Sequence, residues 1–336
     1  MILQHNISLK PYNTFSIEAA AENFANVFSI DDIFELLDNK LVIRDKLFVL
    51  GGGSNILLTK DVAGTVLKNA IPGITFISED SELIYIRSGA GVNWHSFVLY
   101  CLENNFAGLE NLALIPGNVG ASPMQNIGAY GVELKDIFHS LQAVHIEDKR
   151  LVTFDKEQCQ FGYRNSVFKG KLKKQFIITS VTFALLKNPV FNTSYGALQE
   201  ELDKMNTDLS IQSIAAAVIN IRKSKLPDPA FIGNAGSFFK NPTIDENQFK
   251  ILQNNFPGLS ARRSGLGYKI AAGWLIEQCG WKGFRKGDAG CYAKQALVLV
   301  NYGQASGQEI YGLSTDIINS VMDKFNIQLE REVNII

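Results

Sequence analysis

Glycine is missing from the first fifty residues of this chain, and then twelve glycines fall between Gly51 and Gly131. The total, 28 in 336 residues, is ordinary; the placement is what constrains the fold. Glycine reaches backbone conformations closed to other residues and lets a second group approach the main chain closely. A chain that crowds it into one stretch builds turns there, against itself or against a ligand.

The first run, Gly51-Gly52-Gly53-Ser54-Asn55, follows the strand-like Leu47-Phe48-Val49-Leu50. A glycine turn after a strand brings backbone N–H groups close to a phosphate; a tight turn alone is the other reading. The doubly wound dinucleotide fingerprint is excluded, because Ile56 stands at the third glycine position and Ile56-Leu57-Leu58-Thr59 reads as a strand. A Walker loop is excluded too, since no Lys-Ser/Thr follows. The second run, Ile115 to Gly131, is long, uncharged and rich in Gly, Ala, Ser and Asn. Ordering such a loop is costly unless it wraps something. Two glycine loops of neither standard type point to a dinucleotide held by an unrelated fold.

Around them the chain alternates short strands and helices. Ser29 and Asp32 form a capping-box pattern ahead of the Ile33, Leu36, Leu37 stripe. Trp94, Phe97, Val98, Cys101 and Leu102 lie on one helical face ending at Asn104-Asn105. Strands are expected at Thr65–Leu67, Leu83–Ile86 (ending at Gly89-Ala90-Gly91), Leu141–Ile146, Arg150–Phe154, Phe176–Phe183 and Ala296–Val300. Helices are expected near Ile211–Ile221, over Lys269–Cys279, and around Ile317, Val321 and Phe325. The tail Ile327–Ile335 alternates as a strand, with Arg331 the one charged residue on its apolar side. Length gives a prior of about two domains, and Lys225-Leu226-Pro227-Asp228-Pro229 is extended or turned, a candidate boundary.

Composition removes several chemistries. Four cysteines without a CxxC pair and four histidines without HxH or HxxxH spacing argue against a metal centre, a disulfide framework or a His-based triad. Lys+Arg of 32 against Asp+Glu of 33 argues against a nucleic-acid binder. The longest nearly apolar run, Phe176 to Leu186, is too short to span a bilayer, and the N-terminus lacks a signal-peptide pattern. Arg164, taken alone, reads as a surface or salt-bridged residue. Ser237, in Gly236-Ser237-Phe238-Phe239-Lys240-Asn241-Pro242, is outside any GxSxG elbow and suits proton donation better than acylation.

Together Leu50–Asn55, Ile115–Glu133, Phe161–Phe168, Lys225–Pro229, Gly236–Pro242 and Glu332-Val333 resemble the UDP-N-acetylenolpyruvoylglucosamine reductase family, from about Asn13-Thr14-Phe15 to the C-terminus. The resemblance implies an α+β fold: an FAD-binding domain of the vanillyl-alcohol oxidase and p-cresol methylhydroxylase type, then a smaller α/β substrate-binding domain. The implied division is 1–210 (core about 14–187) and 211–336, the last strand returning to the active site. It implies noncovalent FAD on Gly51, Gly52, Gly53, Ser54 and Asn55 and on Pro116, Gly117, Val119, Gly120, Ser122, Asn126, Ile127 and Gly128. The catalytic positions fall on Arg164, Ser237 and Glu332, and the substrate positions on Tyr163, Tyr195, Lys225, Asn241 and Gln295. Val190–Leu202 looks like the longer variant of the family, whose tyrosine closes over the substrate. Asn334 stands where the family often has arginine.

The implied activity is NADPH-dependent reduction of UDP-N-acetylglucosamine enolpyruvate in peptidoglycan synthesis, by a cytoplasmic monomer with no metal, nucleic-acid partner or membrane insertion. Hydride addition to the vinyl carbon leaves negative charge beside a carboxylate. Arg164 suits that charge, Glu332 shares a hydrogen bond with it, and Ser237 supplies the proton, with Lys240 or Lys225 assisting. The alternatives are another flavoenzyme, an oxidase on the same flavin domain, and a nucleotide-sugar binding protein that has lost its flavin.

Overall fold

The computed structural model describes residues 2–336. It forms two compact units: one of the residues up to Ile7 with Ala21–Gly53 and Val62–Ser224, the other of Ser8–Ala20, Ser54–Asp61 and Lys225–Ile336.

The first unit carries two sheets. In one, Val62–Asn69 lies between Ala20–Val27 and Leu47–Leu50 and is parallel to both. The crossover from Ala20–Val27 to Leu47–Leu50 runs through the helix Ile30–Asp38, which opens with the expected Ser29–Asp32 capping box. The other is antiparallel throughout, in the order Leu151–Asp155, Phe138–His145, Phe176–Leu186, Leu83–Gly89, Ile74–Glu79. Phe176–Leu186 lies at its centre, which is why it reads as a continuous apolar run instead of an alternating one. The stripe of the helix Trp94–Glu103 is buried as its spacing predicts. Trp94 and Phe97 pack on Phe183, ring centroids 5.9 and 4.6 Å away, each such side chain contributing roughly 1.5–3 kcal/mol.

Helix Ile211–Lys225 buries Ile211, Ile214, Ala217, Val218 and Ile221 in this same core. The first unit therefore runs to Ser224, beyond the expected division at 210.

In the second unit Gly233–Ser237, Val298–Asn301, Ala289–Cys291 and Arg285–Lys286 form an antiparallel sheet. The helix Gly307–Phe325 packs on its two middle strands. A second sheet orders Thr243–Ile244, Gly267–Ile270 and Ala261–Ser264. This sheet corrects one expectation. The helix read over Lys269–Cys279 starts only at Ala272, because Gly267–Ile270 is taken up between two strand partners that local spacing does not reveal. The tail is also less regular than expected. Ile327, Leu329 and Val333 are buried as the alternation requires, yet only Asn334–Ile335 joins a ladder, parallel to Ile56–Leu57.

The whole is α+β. Among the described residues no helix is long and apolar enough to cross a membrane.

Candidate active site

The strand Leu47–Leu50 delivers the chain into Gly51–Gly53, and this turn lies directly on the second glycine segment. A Cβ on Gly52 would come within 2.8 Å of the Gly117 Cα and the Asn118 Oδ1, and one on Gly51 within 3.6 Å of the Ala121 Cβ. A third segment, Gly89-Ala90-Gly91, closes the group. Val119 N donates to Val92 O at 2.9 Å, Gly120 N to Ala90 O at 3.0 Å and Asn118 Nδ2 to Gly91 O at 2.8 Å. A Cβ on Gly120 would sit 2.5 Å from the Ala90 Cβ. Three backbone segments thus meet so closely that Gly52 and Gly120 leave no room for a side chain.

Lys68 Nζ donates to Gly51 O at 2.6 Å, and burial lowers the pKa of this amine. The sequence reading singled out neither Lys68 nor the part played by 89–91. A lysine one strand over from a glycine turn is the only local signal. Ser54 and Asn55, the remainder of the first run, belong to the second unit.

Asn126 holds the second glycine segment to the Arg164 segment. Its side chain donates to Gly162 O at 3.1 Å and Glu133 Oε2 at 3.0 Å, and accepts from Lys135 N at 3.0 Å. Ser166 Oγ adds a 2.7 Å bond to Met124 O. These side chains, like Ser122 Oγ, which donates to Val119 O at 2.7 Å, satisfy the protein's own backbone. Arg164 sits in a left-handed conformation at φ +51, uncommon for a side-chain-bearing residue. Its Nη2 donates to Gly128 O at 2.7 Å, and its guanidinium lies 5.5 Å from the ring centroid of the exposed Tyr163.

Tyr130 and Gly131, at φ +48 and +85, turn the hairpin between Gly128–Ala129 and Val132–Glu133. Tyr195 packs edge-on against the Tyr130 ring, 5.3 Å between centroids. Asn111 Nδ2 donates to both Tyr130 O and Asn192 O at 2.9 Å, tying the Tyr195 segment to this turn. Arg222 hydrogen-bonds the Tyr130 side chain and donates through Nε to Leu114 O at 3.2 Å. Burial raises the Tyr130 pKa, with the Arg222 charge opposing; burial lowers the Arg222 pKa, with Tyr130 opposing. Arg222 was not foreseen, because nothing adjacent in sequence marks it.

In the second unit a register break between Asn234 and Ser237 presents the serine, half-buried, after Gly236 at φ +69. Asn234 shapes the break. Its Oδ1 accepts from Gly236 N at 3.0 Å while its Nδ2 donates to Pro227 O at 3.1 Å, joining the Lys225–Pro229 motif to the serine turn. Lys225 itself is the exposed last residue of its helix. Lys240, expected to assist Ser237, is instead ion-paired with Glu330. Asn241 Oδ1 accepts from Ala272 N at 2.9 Å, and Gln295 Oε1 lies 2.9 Å from where a Cβ on Gly273 would be. The two candidate substrate residues therefore meet at the start of the helix Ala272–Gln278.

Glu332 is half-buried, its N–H donating to Phe238 O at 2.8 Å and its carbonyl accepting from Asn55 Nδ2 at 3.4 Å. Asn334, in place of the arginine, returns a 2.9 Å bond from Nδ2 to Asn55 O. The last strand and the tail of the first glycine run hold one another.

Residues 30–155, which hold these three glycine turns, match the FAD binding domain family, and the class is an FAD-binding flavoprotein. Residues 228–336 match the UDP-N-acetylenolpyruvoylglucosamine reductase C-terminal domain. The chain is 50% identical to the UDP-N-acetylenolpyruvoylglucosamine reductases of Flavobacterium johnsoniae and of Amoebophilus asiaticus, over 100% of each chain. To that of Pseudomonas savastanoi it is 47% identical, over 99% of this chain and 98% of the other. A solved reductase of this name from Thermus caldophilus shares the fold, with a TM-score of 0.68 at 24% identity over 99% of each chain. The chain belongs to the UDP-N-acetylenolpyruvoylglucosamine reductase family.

Proposed function

We propose that this chain catalyses the NADPH-dependent reduction of the enolpyruvyl double bond of UDP-N-acetylglucosamine enolpyruvate, giving UDP-N-acetylmuramate for bacterial peptidoglycan. The observation that carries this reading is 50% identity to named reductases over the entire chain, together with a cradle that glycine alone can form. FAD held there would supply the hydride relay between NADPH and the enolpyruvyl group. The glycine turns at 51–53, 89–91 and 117–120 hold the cofactor noncovalently through backbone groups.

Arg164 offsets the negative charge that develops beside the substrate carboxylate, its fork held by Gly128 O. Glu332 shares a hydrogen bond with that charge, and Ser237 delivers the proton to the adjacent carbon. Tyr163, Lys225, Asn241 and Gln295 bind the UDP-sugar. Val190–Leu202 is the longer loop of the family, and Tyr195, already packed on Tyr130, closes over the diphosphate. The enzyme works as a monomer in the cytoplasm, where NADPH and nucleotide sugars are found.

Stopped-flow spectroscopy of Ser237→Ala tests it. Flavin reduction by NADPH stays at the parent rate, while reoxidation by the enolpyruvyl sugar slows about 10²–10⁴-fold. Equal slowing of both half-reactions would make Ser237 structural and overturn its assignment.

A further inference from the structure

The tail carries one charged residue on its apolar face, and nothing in the reaction uses it. Arg331 lies among Ile327, Leu329 and Val333, each no more than 3% exposed, and is itself half-buried. A guanidinium in such a place is costly unless its donors are satisfied. Among the described residues no carboxylate lies within ion-pair distance of it. The helix Gly307–Phe325 supplies a neutral socket instead. Arg331 Nε donates to Ser314 Oγ at 2.8 Å, Nη2 donates to Thr315 Oγ1 at 2.7 Å, and the guanidinium lies 4.5 Å over the Tyr311 ring.

The two hydroxyls are oriented for this task. Ser314 Oγ donates to Tyr311 O at 2.6 Å and Thr315 Oγ1 to the same oxygen at 3.1 Å. Their hydrogens are thereby committed to the helix, and their lone pairs face the arginine.

On the backbone side this segment is held at two places. Phe239 and Arg331 form an isolated bridge, flanked by Lys240 N to Glu330 O at 2.9 Å and Glu332 N to Phe238 O at 2.8 Å. The chain pairs again at Asn334, whose N–H donates to Asn55 O at 3.1 Å, so a short stretch around Glu332 spans the two anchors, and an error of one residue within it would turn Glu332 to the other face. Successive side chains of an extended segment point to opposite faces. Seating Arg331 in the helix socket therefore obliges Glu332 to face away from that helix.

We propose that Arg331 is a positioning residue for Glu332: its docking on Tyr311, Ser314 and Thr315 fixes the facing of the stretch between the Phe239–Arg331 bridge and the Asn334–Ile335 ladder. This rests on the role given to Glu332 above.

The test uses the FAD-loaded enzyme and two readouts, amide hydrogen exchange of the peptide covering 327–336 and the two half-reactions by stopped flow. Arg331→Gln should speed exchange in that peptide by about tenfold or more. It should slow reoxidation by the enolpyruvyl sugar up to about 10²-fold, with flavin reduction by NADPH unchanged. Arg331→Lys should recover part of both. Thr315→Val, which removes one bond and is the milder change, should show the same pattern at smaller size if Arg331→Gln folds poorly. In the Arg331→Gln/Glu332→Gln double variant, reoxidation should be no slower than in Glu332→Gln alone. Unchanged exchange in Arg331→Gln, or additive losses in the double variant, overturns the proposal. Faster exchange with normal reoxidation in Glu332→Gln instead overturns the role of Glu332 while leaving the anchoring by Arg331 intact.

Discussion

The Arg164 guanidinium donates a 2.7 Å hydrogen bond to the carbonyl oxygen of Gly128, at the end of the second glycine segment. Its placement depends on a residue that has no side chain. A Cβ on Gly128 would come within 2.9 Å of Val132 O and 3.2 Å of Arg164 Nη1. Gly128→Ala should open the hairpin and displace the guanidinium. The expected result is a kcat lowered by about 10²-fold, the cost of a small misplacement of the guanidinium, and a weakened hold on flavin, since Gly128 is also among the residues assigned to FAD. Steady-state kinetics beside the absorbance spectrum of the purified variant checks both halves of the claim.

Gly52→Ala tests the contact between the two glycine turns. The new methyl would sit 2.8 Å from the Gly117 Cα, where the obstructing atom is main chain and cannot swing away. FAD affinity should fall by about tenfold or more, corresponding to about 1.4 kcal/mol, in a fluorescence titration of the apoprotein. Gly258→Ala, which meets nothing within 4 Å, should leave the affinity unchanged.

Asn13 is 6% exposed and closes three backbone bonds: Nδ2 to Leu9 O at 2.8 Å and Ile17 O at 2.9 Å, and Ile17 N to Oδ1 at 3.0 Å. Asn13→Ala leaves these groups buried without partners. Urea unfolding should report a loss of about 2–4 kcal/mol. A loss within the error of the measurement would mean that water replaces the side chain.

Glu110 is 2% exposed, and burial raises its pKa, against opposing backbone N–H groups that include Gly108 N at 2.7 Å. A carboxyl whose folded pKa lies above its unfolded one contributes stability that is complete below the unfolded pKa. That contribution is lost as pH rises through the folded pKa. Glu110→Gln removes the titration and keeps an oxygen for Gly108 N. Its Tm should gain on the parent's as pH rises above the ordinary carboxylate range; a pH-independent difference would count against the burial effect.

Much of the fold around the candidate site was legible because its signals are local. The strand-to-glycine transition at Leu50-Gly51, the Ser29–Asp32 box and the Trp94–Leu102 stripe each depend on a few consecutive residues. What escaped depends on partners far along the chain. Gly89–Gly91 joins the cradle only because Ala90 O meets Gly120 N. The start of the Ala272–Gln278 helix is delayed by strands at 243 and 261. Arg222 finds the Tyr130 side chain from a helix ninety positions away. The partner of Asn334, Asn55 O, lies almost the whole chain away.

The sequence by itself determined the scarcity and spacing of histidine and cysteine, which argue against their usual catalytic and metal-binding patterns, and the crowding of glycine into turns at 51–53 and 115–131. Those features are residue type and short-range order, which no fold can alter; the roles of Arg164, Ser237 and Glu332 rest on the resemblance to the family. Tertiary structure decided which of the named polar side chains stay available and which are consumed. Asn126 and Ser122 spend theirs on the protein's own backbone, Lys240 on Glu330, and Arg331 on a socket of hydroxyls. Buried polar groups must be satisfied wherever the chain brings them, and where it brings them is set by packing between segments that sequence order keeps apart.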